Sequence, residues 1–343
     1  MQYEIIKKQA LLNEKGQLNE AGYAKDLILT YDRQKIKANP LRIKEWDYYL
    51  IGNNKYALAL TIADNSYMGL DSLSFMDFDK KWSHTKSYMA FMTKGKKNMP
   101  STSAFGNTVS FGKNYSLSFM ADKDKRVLKA EFKDFMDKIP LTAYIILDND
   151  KKDSIVKVTP FLKDPLAFYY NQKINCLKAE GYVDFNGVRY DFKKEDSMAV
   201  LDWGRGVWTY KNTWYWGSAS GYVNKEPFGF NIGYGFGDNS KASENMIFYK
   251  DKGHKIEDIT FEIPMKDNKE DFLSPWNIKS SDKRLDMKFY PILNRSASDS
   301  AVIIKSQQNQ VFGRFEGEAV LDNSERIKFK DLVGFAEKVF NKW

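Results

Sequence analysis

The chain holds a single cysteine, Cys176, in 343 residues, so it can form no internal disulfide and no cysteine-based zinc site. Histidine is almost as scarce. His84 and His254 are the only two, which excludes a histidine-rich metal centre. "KWSHTK" places no serine elbow or spaced acid around His84, and "DKGHKIED" reads as a charged loop around His254. No apolar run is long enough to span a membrane, and the opening "MQYEIIKKQALLNEKG" lacks the apolar stretch of a signal peptide. These absences lead us to expect a cytoplasmic protein without resident metal or cofactor. Helix signals are also few. "NEAGYAKDLIL" could hold a turn or two, and "DLVGFAEKVFNKW" at 331–343 fits helical and strand spacing equally well.

The proportions that remain are globular, with 43% hydrophobic and 29% charged residues, and the length suits two domains. The net charge of +8 reads as spread along the chain, with only Lys94, Lys96, Lys97 and the group Lys123, Lys125, Arg126 approaching clusters. No nucleic-acid-binding module accompanies them, so a nucleic-acid partner is not expected.

Period-two alternation dominates. In "KYALALTIA", Tyr56, Leu58, Leu60 and Ile62 share a face, and "YSLSFMA" sets Tyr115, Leu117 and Phe119 against serines. Turn sequences such as "GNN", "GKN" and "DNDKKD" separate these runs, giving a meander that closes into a barrel or sandwich. A second β-rich set follows Pro165, with a hairpin at Asn186-Gly187 and the alternating "FGFNIGYGFGD". The expected architecture is all-β, with one antiparallel barrel over residues 1–164 and another over 165–343.

Half of the eight tryptophans, Trp203, Trp208, Trp214 and Trp216, fall in "LDWGRGVWTYKNTWYWGSASG" at 201–221. If 208–220 is one strand, Trp208, Tyr210, Asn212, Trp214, Trp216, Ser218 and Ser220 share a face, as core or as the wall of a ligand pocket. Gly204 and Gly206 bracket Arg205 and suggest a tight bend that turns the guanidinium inward, beside Asp202. The glycine face of 229–237 leaves room for a large group, either indoles or a ligand. In "KEWDYY", Glu45 and Asp47 point to one face with Tyr49. They read either as two solvated acids or as a pair for acid–base work.

The stretches "LLNEKGQLNEAGYAKDL", "VLDWGRGVWTYKNTWYWGSASG", "FNIGYGFGDNSKASENMIFY" and "VFGRFEGEAVL" resemble a bacterial family known as domain of unknown function 2804, along nearly the whole chain. "KEWDYYLIGNNKYALAL", "VLDWGRG" and "FGRFEGEAVL" are similar, more distantly, to the "EWWY", "W.DHEWG" and "YWEGAV" segments of hydroxyneurosporene synthase and AttH-type proteins. That resemblance implies two lipocalin-like (calycin-type) barrels in tandem and chemistry on large apolar molecules. The acid–histidine pair of "DHEWG" is here Asp202-Trp203-Gly204-Arg205, without a histidine, so Asp202 alone stands where a proton donor is expected.

Three functional readings follow. The first is a binding protein for a hydrophobic or amphipathic small molecule, with Trp208, Tyr210, Trp214 and Trp216 as apolar wall and Asp202 and Arg205 gripping a polar group. The second is an isomerase, cyclase or hydratase, with Asp202, or Glu45 with Asp47, as the acid. The third is an aromatic core that is only structural, with the function elsewhere.

Overall fold

Alternating sequences of this kind can bury one face of a strand while leaving the other to solvent or to a second layer. The computed structural model, which describes residues 2–301 and 304–342, assembles them into two large sheets. The main path of the first sheet runs, in spatial order, Trp82–Phe91, Met68–Asp77, Tyr56–Asp64, Ile43–Gly52, Met198–Val207, Asp164–Phe185, Ile139–Asp148, Lys125–Met136, Tyr115–Ala121 and Gly106–Gly112. The second runs Lys252–Lys255, Met246–Tyr249, Glu226–Tyr234, Lys211–Val223, Arg326–Lys342, Ile304–Val320, Leu285–Ala301, Trp276–Ser280 and Ile259–Glu262. Neighbours along both paths are antiparallel. No α-helix occurs among the described residues.

Each sheet curls around its own core. Leu58, Leu60, Ile62, Phe75, Leu117 and Phe132 are among those that fill the first. Its two ends approach each other, where Tyr88 stacks on Tyr115 with ring centroids 4.4 Å apart. Phe228, Phe230, Ile232, Trp276 and Phe315 fill the second, and Tyr234 meets Phe261 across its closing edge at 5.7 Å. The architecture is therefore two lipocalin-like antiparallel units, as the sequence led us to expect. The Asn186-Gly187 hairpin is also present, pairing Phe185 with Val188, with both turn residues at positive φ as a type I′ turn requires.

The boundary between the sheets does not fall at residue 164. Strands Asp164–Phe185, Val188–Phe192 and Met198–Val207 all hydrogen-bond into the first sheet, and the second begins at Lys211. Pro165 is no linker. It occupies the second position of a strand, where a missing N–H is tolerated. The ambiguous segment 331–343 belongs, as far as Lys342, to strand Arg326–Lys342. Leu332 and Ala336 point into the second core while Phe335 and Val333 pack toward the first sheet. Apolar residues on both faces erase the period-two signal.

The sheets pack face to face through their outer surfaces. Tyr48, Leu50, Ala59, Met76 and Val200 of the first meet Trp216, Leu293, Phe312 and Phe335 of the second. Close approach shapes this layer. Gly204 is not in a bend but inside an extended strand, paired with Trp46, whose indole lies across it. A Cβ on Gly204 would stand 1.9 Å from Trp46 Cζ2. Gly204→Ala should therefore destabilise the protein by about 1–3 kcal/mol, since the indole must leave its site. Gly52→Ala, whose Cβ would meet Ala57 Cβ at 3.4 Å, should leave the urea midpoint near that of the parent. Equal midpoints for the two variants would show that Trp46 moves aside freely.

Candidate functional site

The expected residues fall on opposite sides of one sheet. Side chains alternate along a strand, so Asp202 and Arg205, three apart in Met198–Val207, cannot share a face. Arg205 points into the first barrel and is fully buried. Its partner is Asp47, with Nη1 donating to Oδ1 at 3.1 Å; the expected pairing with Asp202 does not occur. Nη1 also donates to the carbonyls of Trp46 and Gly204, and Nη2 to that of Pro100, each at 2.8 Å, while the guanidinium lies 4.2 Å over the Trp203 ring. Asp47 Oδ2 accepts from Thr108 Oγ1 at 2.6 Å.

Glu45 points the same way, as its spacing from Asp47 and Tyr49 requires, and accepts from Tyr31 Oη at 2.8 Å and from Arg33. Neither acid is solvated, so the outer-face reading is overturned. The paired strands turn these positions inward, and cations from the 31–33 segment and from Met198–Val207 balance them. The free space beside Asp47, Arg126 and Trp203 is about 10 Å³, enough for one water molecule. This inner network packs closely around Arg205, and the void beside it is too small for a larger guest.

The other side of the same sheet faces the second sheet and carries Asp202. Asp202 Oδ1 accepts from Asn171 Nδ2 at 2.6 Å and lies 3.3 Å from Lys173 Nζ. Glu244 Oε2 lies 3.1 Å from the same ammonium, which also donates to Asn171 Oδ1 at 2.8 Å and sits 4.6 Å over the Trp216 ring. Burial opposes the charge on Lys173, but Asp202 and Glu244 outweigh it and raise the lysine well above its ordinary value. Burial likewise pushes the Glu244 carboxyl up, yet Lys173 and Lys157 hold it below the usual glutamate range.

Trp214 and Trp216 share a face with Ser218 and Ser220, in a strand that starts only at Lys211. Trp208 and Tyr210 precede it in the connection. Trp208 packs edge-on against Trp46, Trp214 and Phe236, whereas Tyr210 is half exposed beneath the Lys342 ammonium. Trp216 pairs across the ladder with Gly233, and its Nε1 donates to Asn231 Oδ1 at 2.7 Å. The Trp216 indole thus lies along the glycine face, and other groups press directly on its glycines. A Cβ at Gly233 would meet Glu244 Oε1 at 2.6 Å, and one at Gly229 would meet Cys176 Sγ at 2.8 Å.

Beside Trp216 stands a buried carboxyl that sequence reasoning missed. Glu337 accepts from Trp214 Nε1 at 3.0 Å and from Gln310 Nε2 at 2.9 Å. Arg295 bridges from Gln310 Oε1, at 2.5 Å, to Ser74 Oγ of the first sheet, at 2.7 Å. Burial pushes Glu337 up to about 7, against the two donors and Arg295. The buried Tyr48 hydroxyl of the facing strand lies close to Gln310 and Glu337. A single acid inside the apolar run "LVGFAEKVF" is the signal that could have drawn attention to Glu337, and Lys173 in "FYYNQKINCL" is a second of the same kind.

Next to this row the sheets part to leave a cleft of about 250 Å³. Leu50, Ala57, Val200, Phe312 and Leu332 supply apolar wall, with Ser218, Ser220, Asp196 and Lys330 as polar members. Leu50, Val200, Ser218 and Phe312 each stand two residues along the strand from Tyr48, Asp202, Trp216 and Gln310. Cleft and polar row are thus consecutive steps, about 7 Å apart, on the same faces.

The sequence pattern of the family described as domain of unknown function (DUF2804) matches residues 2–343. No curated protein matches the chain. Among solved structures, kievitone hydratase from Nectria haematococca is similar at 12% identity and a TM-score of 0.52, over 88% of each chain. A protein assigned as AttH from Nitrosomonas europaea is similar at 11% identity and a TM-score of 0.55, over 90% of this chain and 96% of its own.

Two outcomes test this geometry. Arg205→Ala strands Asp47 inside the barrel and should cost about 3–5 kcal/mol, and Arg205→Lys should also lower the urea midpoint because one ammonium cannot serve four acceptors. A parent-like midpoint for Arg205→Ala would refute the buried pair. For Glu337, a folded-state pKa raised to about 7 means that the native state binds the extra proton. Its stabilising contribution is then full below the unfolded glutamate pKa and is lost as pH rises toward neutrality, by about 3 kcal/mol in all. Urea midpoints from acid to neutral pH should show this fall in the parent and its absence in Glu337→Gln.

Proposed function

The chain therefore belongs to the DUF2804 family, and we propose that it binds an amphipathic small molecule between its two sheets, not inside either barrel. The cleft one step along the strands from the buried polar row carries this reading. Its volume is at the small end of ligand sites, suited to a compact molecule or to one end of a longer one. Apolar parts of the guest would lie against Leu50, Ala57, Val200 and Phe312. Polar parts would face the Ser218 and Ser220 hydroxyls, which already accept from Asn175 Nδ2 and can still donate. Of the residues first expected at a site, Trp214, Trp216 and Asp202 flank this region. Glu45, Asp47 and Arg205 belong to the closed interior of the first barrel and are assigned to structure.

A second reading is an isomerase, cyclase or hydratase acting on a large apolar substrate. The observation that favours it is Glu337, a carboxyl poised near neutrality beside the buried Tyr48 phenol. It would replace Asp202 as the acid, since Asp202 is engaged by Asn171 and Lys173. The likeness to kievitone hydratase is one of fold and supplies no residue to this chemistry.

Native mass spectrometry of protein purified from its own host should reveal a retained small molecule. Ala57→Phe, which fills the cleft from one wall, should lose that molecule while keeping the parent circular dichroism spectrum. Glu337→Gln should keep it under the binding reading, and should accumulate it unchanged under the enzymatic one. An empty parent, or equal occupancy in parent and Ala57→Phe, would refute the cleft as the site.

A further inference from the structure

The excess charge is not spread along the chain. Residues 80–121 contain seven lysines, Lys80, Lys81, Lys86, Lys94, Lys96, Lys97 and Lys113, and no aspartate or glutamate. Elsewhere 46 basic residues face 45 acidic ones, so this one stretch accounts for nearly all of the net +8. Asymmetry of this size within a folded chain points to an anionic partner.

The same stretch supplies both ends of the first sheet. Trp82–Phe91 and Gly106–Gly112 close its strand order, and neither has a second ladder partner among the described residues. Edge strands are normally blunted by charge, proline or cover. These instead present Met89, Phe91, Val109 and Phe111 to solvent, with Met92 just beyond, and Phe91 and Phe111 are 80% and 78% exposed. The inward neighbours of these residues meet at one point. Asp71 pairs with Tyr88 in the ladder and accepts from Ser110 Oγ at 2.8 Å, from Tyr115 Oη at 2.7 Å and from Lys97 Nζ at 2.6 Å. The apolar side chains therefore flank a single seam on the barrel's outer wall. Lys94 and Lys96, from the turn after Phe91, and Lys113, from the turn after Phe111, rim it as exposed cations, without an ion pair among the described residues.

We propose that this seam is a membrane-docking surface, on which Phe91, Phe111 and the methionines enter the headgroup layer of an anionic bilayer while Lys94, Lys96 and Lys113 meet its lipid phosphates. The inference does not rest on the inter-sheet cleft. Charge complementarity selects the occupant. A second copy would bring a like-charged patch against this one. A nucleic acid would satisfy the lysines but leave methionine and valine against phosphate, and the stretch contains no arginine. Exposed apolar rings inside a cationic rim are the pattern of a peripheral membrane contact.

Co-sedimentation of the full chain with vesicles provides the test. The parent should sediment with phosphatidylcholine mixed with phosphatidylglycerol, should not sediment with phosphatidylcholine alone, and should bind less at high salt. Phe91→Ser with Phe111→Ser, and separately Lys94→Glu with Lys96→Glu, should each weaken partitioning about tenfold or more, with an unchanged circular dichroism spectrum. These positions are exposed, so both pairs should fold. No phosphatidylglycerol-dependent sedimentation of the parent would overturn the proposal, as would parent-like binding by both variant pairs. It would also be overturned if the parent left vesicles unbound and sized as a dimer that the serine pair converts to monomer, or if it bound an oligonucleotide in their place.

Discussion

Lys173 lies buried where the two sheets meet, with Asp202 of the first sheet and Glu244, just before strand Met246–Tyr249 of the second, beside it and the Trp216 indole beneath it. Neither Asp202 nor Glu244 could sit at this depth without that ammonium, and the ammonium could not sit there without both. The cluster works as a key more than as an adhesive. A slip of one residue between the facing strands would leave a charge unpaired in an apolar layer, a far larger penalty than any single apolar contact could offset. The glycines at 229 and 233 belong to the same device. They clear space for Cys176 and Glu244, and so set how closely the second sheet approaches the first.

With the sheets held in this way, the two polar systems of the molecule have different characters. Inside the first barrel, Arg205 donates to three carbonyls and one carboxylate, and the space beside this network holds no more than a water molecule. Between the sheets, Glu337 is balanced between two donors that favour its charged form and burial that favours its neutral form, with a buried phenol and a cleft close by. A closely packed network rigidifies, whereas a buried polar group beside a void can respond to a guest.

The fold was legible because strand alternation, tight turns and the Asn186-Gly187 pair are local signals. The face shared by Glu45, Asp47 and Tyr49 was legible for the same reason, and so was the inward turn of Arg205. Its partner was not. Asp47 reaches Arg205 through pairing between strands about 160 residues apart in sequence, which no local spacing encodes. The bend expected at Gly204 and Gly206 was a second misreading of this kind, since the reason for Gly204 is the indole of Trp46 on the neighbouring strand. Glu337 and Lys173 stayed hidden because strands buried on both faces lose the alternation that would mark a charged residue as facing inward.

Strand Met198–Val207 is the last long element of the first sheet in sequence and stands near its middle in space. On one side lies everything from Ile43 to Phe91, and on the other everything from Gly106 to Phe192; along the main path this strand alone joins them. A nascent chain that has emerged only to residue 190 thus holds two half-sheets with raw inner edges, joined by side-chain contacts such as Tyr88 on Tyr115 but not by the main strand ladder. Closure of the ladder waits for the ten-residue strand Met198–Val207, every residue of it buried. In kinetic terms the first barrel has a late keystone of long sequence separation. Its assembly is bound to be slow compared with hairpin formation, and its unpaired edges stay open to wrong partners until that strand arrives.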